Sequence, residues 1–334
     1  MTSVVLTKDG TMAYAAAFNA GSVTTFKRDV KTGLLQLDGV VTGEGLKSVV
    51  SIKLSPDEKY AVACAFGTNT VTLFKRDPAN GRLSILESVS EGVNDMTGLK
   101  WVIDARFSPK TDFLYVGSMN GVSVFELKDE KLGQVQFSEP KGPLNGVRGI
   151  AMNPTGDWIY VTAMTSDNLG VFKRDASTGL VSLARVLSNS TTGGNSLAGA
   201  FRSTVSADGK FLYVSSGRFR GDQAVSAFAI GEDGGVKLIQ EFTNGANGFD
   251  QFEGGNTLAL SPDGKMLIAL ASNSDRLFRF KRDDASGKLT FLGSQEVGQH
   301  ETPGSAGLCF SPDGNFVYVA DEASSSIVAF RIPK

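Results

Sequence analysis

Short apolar segments alternate with polar turns along the whole chain, and one unit of this pattern recurs. In this unit an apolar strand leads into a turn of the type Ser-Pro-Asp-Gly, which is followed by an aromatic and β-branched segment such as residues 211–214. Proline presets φ for a tight turn, the Asp side chain bonds its own backbone, and glycine accepts a positive φ. Because aromatic and β-branched residues favour strands, the unit predicts a β-hairpin.

This hairpin turn occurs seven times. The copies lie at residues 7–10, 55–58, 108–111, 153–156, 206–209, 261–264 and 311–314. Their spacing of about 45 to 55 residues is typical of propeller blades. Each unit has room for four strands, and no long helical segment interrupts the series. The sequence therefore predicts an all-β fold, a seven-bladed β-propeller of four-stranded antiparallel blades.

We expect one propeller domain over residues 1–334. Its repeats lie near 1–45, 46–98, 99–143, 144–196, 197–251, 252–304 and 305–334. The last repeat has room for three strands, and the first begins close to its inner strand. An outer strand that completes this blade would have to lie upstream of Met1, so we expect either an absent N-terminal segment or one incomplete blade.

A second hairpin carries the sequence Lys-Arg-Asp in four repeats. The copies lie at residues 27–29, 75–77, 173–175 and 281–283. Their recurrence could indicate an anion site. At an outer hairpin, however, we expect these residues to be solvated and to protect a sheet edge.

Charge and cysteine content narrow the function classes. Lys and Arg total 33 against 35 for Asp and Glu, which argues against general nucleic-acid binding because that needs a basic surface. No apolar run approaches the ~20 residues of a membrane helix, and the first ten residues lack a signal-peptide pattern. We expect a soluble protein that is either cytoplasmic or exported after removal of a leader. Cys64 and Cys309 lie in apolar strands of non-neighbouring repeats, which predicts two buried free thiols and no disulfide.

Charged and polar residues interrupt the otherwise apolar inner strands. These residues are Lys53, Asp104, Arg106, Arg148, Arg202 and Asn256. Inner strands line the axis of a propeller, so we expect all six to lie near the strand entry at a channel mouth. Arg148 and Arg202 from adjacent blades could clamp a carboxylate or phosphate. The alternative is that Asp104 neutralises Lys53 or Arg106 in an ion network between blades, because buried charges are normally paired.

One loop between a second and a third strand, residues 216–223, is longer than its counterparts. It contains Arg218, Phe219, Arg220 and Asp222. Its charge and its aromatic residue predict recognition of an anionic or sugar-like ligand, whereas an Arg–Asp pair that rigidifies the loop is the alternative. We expect Trp101 and the segment 249–253 to cover the same mouth.

The only histidine, His300, lies in the connection into the last repeat. Its ordinary pKa would suit acid–base chemistry, but a loop histidine beside Glu301 is more often a surface residue. One histidine and two separated cysteines cannot assemble a zinc site of the His/Cys type. No phosphate-binding or dinucleotide-binding fingerprint occurs in a fitting context, so we expect neither a metal nor a cofactor.

The whole chain resembles the lactonase-type seven-bladed propellers, the phosphogluconolactonase and carboxymuconate-cyclase family with its repeats of the Tyr-Val-x-Asn type. The turn-and-strand pairs and the Phe-Lys-Arg-Asp segments carry this resemblance. Residues 215–222 look like an expanded form of the family's Asn-Arg-Gly-(His/Asp) loop, with Arg220 at the arginine. The resemblance implies lactone hydrolysis or cycloisomerisation.

The same resemblance assigns an Arg-His pair to the entry of an inner strand. Arg148 matches the arginine, and Gly149 replaces the histidine. A second entry expected to contain histidine has Asp104 instead. His300 is at no matching position.

Three functions remain open at this point. The first is a lactonase-like propeller that binds a small anionic ligand or a protein partner at the arginine-bearing mouth. The second is a lactone hydrolase or cycloisomerase that uses Arg148, Arg202, Arg220 and an acid such as Asp104. The third is an interaction platform without a small-molecule site.

Overall fold

The computed structural model describes residues 1–119, 121–139, 142–298 and 305–332. In this described part, strands and turns predominate, with two short helical segments at Glu44–Leu46 and Asn189–Thr192. The strands form seven antiparallel sheets, each made of strands that are consecutive in the chain. The fold class predicted from the repeats is confirmed, because the chain is an all-β seven-bladed propeller.

The first three blades contain twelve strands. Blade one is built from β1 (Ser3–Leu6), β2 (Met12–Ala17), β3 (Ser22–Arg28) and β4 (Leu35–Thr42). Blade two is built from β5 (Val49–Leu54), β6 (Tyr60–Ala65), β7 (Thr70–Arg76) and β8 (Leu83–Ser90). Blade three is built from β9 (Asp104–Phe107), β10 (Phe113–Ser118), β11 (Gly121–Lys128) and β12 (Lys131–Ser138).

Blades four to six follow the same order of strands. Blade four is built from β13 (Val147–Met152), β14 (Trp158–Ala163), β15 (Asn168–Arg174) and β16 (Val181–Leu187). Blade five is built from β17 (Ala200–Val205), β18 (Phe211–Ser216), β19 (Ala224–Ile230) and β20 (Val236–Thr243). Blade six is built from β21 (Gly255–Leu260), β22 (Met266–Ala271), β23 (Arg276–Arg282) and β24 (Leu289–Glu296).

Blade seven has three strands within the described residues. These are β25 (Ser305–Phe310), β26 (Phe316–Asp321) and β27 (Ser326–Arg331). By its internal contacts the chain divides into two compact units, Met1–Glu139 with Ala306–Lys334, and Pro140–Ser305. The single domain over residues 1–334 stays a prediction.

The recurring turn is closed by its own side chains. At residues 261–264 the Gly264 N–H donates to the Ser261 carbonyl at 2.8 Å, and the Ser261 hydroxyl donates to the Asp263 carboxylate at 2.6 Å. The same hydroxyl accepts the Met266 N–H at 2.9 Å. The hydrogen bonds from Ser261 and from the Lys265 N–H hold the pKa of Asp263 below its ordinary value.

Each core is built on the second strands of the blades. All six residues of β10 are buried, and so are all six of β26. In the first unit, the Tyr318 hydroxyl of β26 donates to the Gly33 carbonyl at 2.7 Å and accepts from Arg28 Nε at 2.5 Å. In the second unit, Tyr213 donates to the Gly287 carbonyl at 2.8 Å and accepts from Arg282 Nε at 2.7 Å.

These bonds correct the prediction that the Lys-Arg-Asp residues are solvated. The prediction is right for the lysine, because the Lys27 side chain is 60% exposed. It is wrong for the arginine, because the Arg28 side chain is 1% exposed. The guanidinium is buried because it satisfies the hydroxyl of a buried tyrosine in the preceding blade.

Both cysteines are free, as predicted. Cys64 is buried, whereas Cys309 is partly exposed, so the expectation of two buried thiols is met only by Cys64. Although part of the Cys309 residue is exposed, its side chain packs against the apolar cluster of Val4 and Tyr318, and this burial raises the pKa of Cys309 to about 12.

Within the described residues, no helix has both the length and the apolar character needed to cross a membrane.

Candidate functional site

The inner-strand charges of the first unit include an ion pair. Lys53 Nζ lies 3.5 Å from Asp104 Oδ1, and this contact joins β5 of blade two to β9 of blade three. The Asp104 side chain is 6% exposed and that of Lys53 is 34% exposed. A buried carboxylate beside an ammonium is the pattern of a neutralised charge. The structure thus contains the ion pair expected if Asp104 neutralises Lys53.

Lys53 and Arg106 do not lie at the entry of their strands. Lys53 is in register with Val62 and Arg106 with Tyr115, and both precede the hairpin turn by two residues. The expectation that all six inner-strand residues lie near the entry is therefore wrong for these two. The reason is the length of the strand, since its entry and its turn are separated by several residues. The Arg106 side chain is exposed.

In the second unit, Arg148 and Arg202 lie in the first halves of β13 and β17. Arg202 Nη1 donates a hydrogen bond to the Arg148 main-chain carbonyl. Both strands shift register near their entry, between Val147 and Gly149 in β13 and between Ala200 and Arg202 in β17. The unpaired residue is Arg148 in β13 and Phe201 in β17, whereas Arg202 stays in register with Ser215.

The Arg148 guanidinium is the unusual group of this unit. Its Nε and Nη1 atoms are buried and have no hydrogen-bond partner among the described residues. Burial, and to a smaller extent the charge of Arg202, lower the pKa of Arg148. An unsatisfied buried cation is costly, and a second cation beside it adds repulsion. This arrangement favours the binding of an anion from outside the chain.

Asn256 has a structural environment. Its residue is 5% exposed, and its Nδ2 donates to the Ser272 hydroxyl at 2.8 Å. Its main-chain carbonyl accepts the Ser215 hydroxyl of the preceding blade at 2.8 Å. Asn256 therefore helps to join β17–β20 to β21–β24, and its role as a ligand-binding residue stays a prediction.

The long loop 216–223 is tied to the neighbouring blade through Arg220. Arg220 Nη2 donates to the carbonyls of Met164 at 3.0 Å and Thr165 at 2.7 Å. It also lies 3.0 Å from Asp167 Oδ1, which forms an ion pair. An Arg–Asp pair that holds the loop is thus present, as one of the two alternatives predicted. Its acid is Asp167, which lies outside the loop.

Asp222 fixes the other end of the same loop. Its carboxylate accepts Asn189 Nδ2 at 2.7 Å and the Ala198 N–H at 2.9 Å. Arg218 Nη1 donates to Asn273 Oδ1 at 2.7 Å. These contacts within the chain position the loop, and the role of the three charged residues in ligand binding stays a prediction.

An aromatic pair connects this loop to the arginines. Phe219 is 65% exposed, and its ring lies edge-on to that of Phe201 with 5.8 Å between centroids. Arg202 Cζ lies 5.7 Å from the centre of Phe201, and Arg218 Cζ lies 4.9 Å from the centre of Phe219. The exposed Phe219 ring therefore provides an apolar surface beside the Phe201–Arg202 contact.

The expectation about other aromatic residues at the mouth is partly wrong. Phe249 and Phe252 are fully buried and pack against Phe278, so they have no surface for a ligand. Trp101 in the first unit is 39% exposed and stacks on Phe66 with 5.7 Å between centroids. His300 lies outside the described residues.

Comparison with known proteins decides the family. The model of the family described as "Lactonase, 7-bladed beta-propeller" matches residues 52–193 and 186–302. The chain belongs to this lactonase family. Among the relatives of this lactonase-family propeller, a 6-phosphogluconolactonase from Formosa agariphila is 29% identical over 110 residues. That match covers 32% of this chain and 30% of the relative's own length, so the chain spans about a third of the curated relative it matches.

Solved structures similar to the lactonase-family propeller carry different activities. The periplasmic gluconolactonase of Pseudomonas aeruginosa has a TM-score of 0.78 at 21% identity, covering 96% of this chain and 92% of that one. Kuenenia stuttgartiensis hydrazine synthase has a TM-score of 0.74 at 17% identity, covering 99% and 95%. At such identities the likeness shows the fold alone.

The lactonase-family propeller has little space for a histidine at position 149. A Cβ atom on Gly149 would lie 2.8 Å from Thr162 Oγ1, 3.0 Å from the Phe201 carbonyl and 3.1 Å from Arg202 Cα. Thr162 Oγ1 is itself fixed by a 2.7 Å hydrogen bond to the Phe201 carbonyl. The close approach of β17 to β13 therefore explains why the residue after Arg148 is a glycine.

Sequence reasoning missed Phe201 in the lactonase-family propeller. A signal was available, because Phe201 occupies the unpaired bulge position of β17 that Arg148 occupies in β13. Alignment of the repeats on their hairpin turns would have placed the two residues at equivalent positions.

Proposed function

We propose that this lactonase-family propeller binds a small organic anion, through a carboxylate or phosphate group, at Arg148 and Arg202. The observation that supports this most directly is the Arg148 guanidinium, with two buried donors that no described residue accepts. Hydrogen bonds from a guanidinium to an anionic oxygen are among the strongest that proteins form. An incoming anion would satisfy the donors and offset the repulsion from Arg202.

The rest of the ligand would lie against Phe219. The loop that carries this ring is fixed through Arg220 and Asp222, so the ring is positioned before a ligand arrives. An exposed aromatic face suits the apolar face of a sugar ring or another small ring. The names of the relatives, a 6-phosphogluconolactonase and a gluconolactonase, favour a sugar acid or its lactone as the ligand class.

Isothermal titration calorimetry with 6-phosphogluconate, gluconate and inorganic phosphate tests this proposal. We expect Arg148→Met to weaken binding of the preferred anion at least about 100-fold, because it removes the donors and the charge. Arg185→Met is the matched control, since Arg185 lies on the outer strand β16 in an ion pair with Asp233. Gluconate binding without phosphate binding identifies the carboxylate as the recognised group. Equal affinity of both variants and the native protein would refute the proposal.

Lactone opening is the second candidate, favoured by membership of the lactonase family. In such a reaction water adds to the lactone carbonyl and the ring oxygen leaves, while an arginine stabilises the developing oxyanion. Activation of the water needs a general base, and position 149 holds glycine rather than histidine.

Hydrolysis of δ-gluconolactone and of 6-phosphogluconolactone separates the two candidates. Hydrolysis above the spontaneous rate that falls at least about tenfold in Arg148→Met would establish the hydrolase. Binding of the sugar acid without such turnover would establish a binding protein on a lactonase scaffold.

A further inference from the structure

Trp101 has a backbone conformation that a tryptophan rarely adopts. Its φ is 55°, in the left-handed region where a bulky side chain is an outlier. Trp101 lies seven residues before the hairpin turn of blade three, and the residues at the same distance in blades two, four, five and six are Ser48, Gly146, Gly199 and Gly254. All four also have a positive φ, so the fold sets this conformation and glycine suits it best. Backbone strain of this kind clusters at sites that have a function beyond folding.

A hydrogen bond shows that Trp101 and Gly199 are structurally equivalent. Asn69 Oδ1 of blade two accepts the Trp101 N–H at 2.7 Å. Asp167 Oδ1 of blade four accepts the Gly199 N–H at 2.8 Å. In both cases the acceptor is the last residue of the connection between the second and third strands of the preceding blade. The backbone is therefore held in the same way at both positions, and the side chain differs.

In blades four to six, the equivalent glycine is covered by a loop. A Cβ atom on any of these three glycines would collide with the connection between the second and third strands of its own blade, at Thr165, Arg220 and Asn273. This connection has four residues in blades four and six and seven in blade five, but only two between β10 and β11 of blade three. The shorter connection leaves Trp101 uncovered, and 39% of the residue is exposed.

Phe66 and Lys100 complete the surface around the indole. The Phe66 ring stacks on that of Trp101 with 5.7 Å between centroids and 27° between planes. Lys100 is exposed, and its Nζ lies 5.7 Å from the centre of the indole. We call these three residues the Trp101 platform. It combines an exposed aromatic surface with a positive charge beside it.

The Trp101 platform is held in position by its neighbours in the chain. Leu99 and Val102, which flank Lys100 and Trp101, are fully buried in the hydrophobic core of blades two and three. The Lys100 carbonyl also accepts the Met119 N–H at 2.9 Å. Because the backbone is fixed on both sides, binding of a ring to the indole requires little ordering of the protein.

We propose that the Trp101 platform binds a six-membered sugar ring that carries a carboxylate, which is the chemistry of a hexuronic acid. The apolar C–H face of the ring lies against the indole, because an aromatic surface suits such a face. The carboxylate lies beside Lys100, and this contact distinguishes an acidic sugar from a neutral one. The proposal uses no residue of the Arg148–Arg202 site and holds whether or not that site binds an anion.

An NMR titration in the Arg148→Met background tests the proposal. This background lacks the anion site proposed above, so binding of an acidic sugar reports on the Trp101 platform. The probes are D-galacturonate, its α-linked trimer and D-galactose, which has the same ring without the carboxylate. The chain has two tryptophans, so Trp101→Gly identifies the indole N–H signal of Trp101. We expect this signal to shift with the trimer at a Kd of about 0.1–1 mM, while the Trp158 signal stays unchanged.

Two variants separate the contributions of the ring and the charge, with binding followed by saturation transfer to the sugar protons. Trp101→Gly should weaken trimer binding at least about tenfold, because it removes the stacking surface. Glycine accepts the positive φ without strain, so the thermal midpoint should stay within about 3 °C of the parent protein. Lys100→Met should weaken trimer binding about threefold and leave galactose binding unchanged. Lys110→Met is the matched control, since Lys110 is an exposed lysine in the hairpin turn of the same blade.

Three results would overturn the inference. The first is an unshifted Trp101 signal at about 10 mM trimer. The second is equal affinity for galacturonate and galactose, which would remove the role of the carboxylate. The third is equal affinity of the Trp101→Gly protein and its parent for the trimer. Because every measurement is made without Arg148, each of these results leaves the anion-binding proposal standing.

Discussion

The first strands of the blades carry charged residues in both units, but the neighbours of these charges differ. In the first unit, Asp104 lies 3.5 Å from Lys53, so the pair is neutral and one member is still partly hydrated. In the second unit, Arg148 and Arg202 are two cations, and Nε and Nη1 of Arg148 make no hydrogen bond among the described residues. Only the second arrangement keeps a cost that a ligand can remove.

On the proposed function, this difference distinguishes charges that stabilise the fold from charges that bind a ligand. Both clusters are formed by charged residues of the first strands of adjacent blades. A charge whose partner is built into the chain stabilises the fold and gains little from a ligand. A charge without a partner destabilises the fold and gains much, which is the pattern of a binding site.

The largest predicted effect comes from replacing one cation of the second cluster with an acid. Arg202→Glu places a carboxylate beside Arg148, so the unit would resemble the Lys53–Asp104 pair. We expect anion binding to fall at least about 100-fold in calorimetry, since the charge is neutralised and the site becomes repulsive. Arg202→Lys, which keeps the charge, should fall no more than about tenfold. Undiminished binding by the glutamate variant would contradict the account.

The converse change removes the acid from the first cluster. Asp104→Asn leaves Lys53 without its charge partner, and we expect the free energy of unfolding in urea to fall by about 1–2 kcal/mol. The expected loss is below that for a fully buried pair because Lys53 is 34% exposed. Anion binding at Arg148 should change by no more than about twofold. Unchanged stability would contradict the structural role of the Lys53–Asp104 pair.

A smaller effect, on stability, is expected when the Arg148 guanidinium is removed. Arg148→Met keeps the length of the side chain but removes the unsatisfied donors and the repulsion from Arg202. We expect the free energy of unfolding to rise by about 0.5–1 kcal/mol, as functional residues often cost stability. Thermal unfolding of this variant and of Arg185→Met, in which an exposed ion pair is lost, provides the comparison. A destabilised Arg148→Met protein would show that the guanidinium has a structural partner.

The smallest effect concerns the Asp263 carboxylate, which accepts hydrogen bonds within its own turn. The pKa of Asp263 is lowered by its bonds to Ser261 and to the Lys265 N–H. A lowered pKa in the folded state stabilises the fold above the unfolded value of about 3.9, and the contribution disappears as pH falls through the folded-state value. Asp263→Asn should therefore reduce the difference in thermal midpoint between pH 7 and pH 3. An unchanged difference would show that this turn does not contribute to acid sensitivity.

The repeat made the blades predictable, because its turn residues act locally. Ser261, Asp263 and Gly264 close their turn with bonds inside four residues, so the sequence alone determines the structure there. The Lys-Arg-Asp segments show where such reasoning stops. Arg28 bonds Tyr318, which is 290 residues away in the chain, and no local pattern reveals that partner.

The candidate site was predictable in its residue types and not in its contacts. Arg148 and Arg202 were identified as a pair from their places in adjacent repeats. Hydrophobic periodicity does not show the bulge that leaves Arg148 unpaired in β13, or the hydrogen bond from Arg202 to the Arg148 main-chain carbonyl. Arg220 was assigned to a ligand or to an acid within its own loop. Its actual acid is Asp167 of the preceding blade, because the loop folds back onto that blade.

The most direct test of the central claim is a crystal structure with 6-phosphogluconate bound. The account predicts electron density for an anionic group within hydrogen-bond distance of Arg148 Nε or Nη1, with the remainder of the molecule near Phe219. Density that leaves both nitrogens without a partner, while the ligand binds elsewhere in the protein, would contradict it.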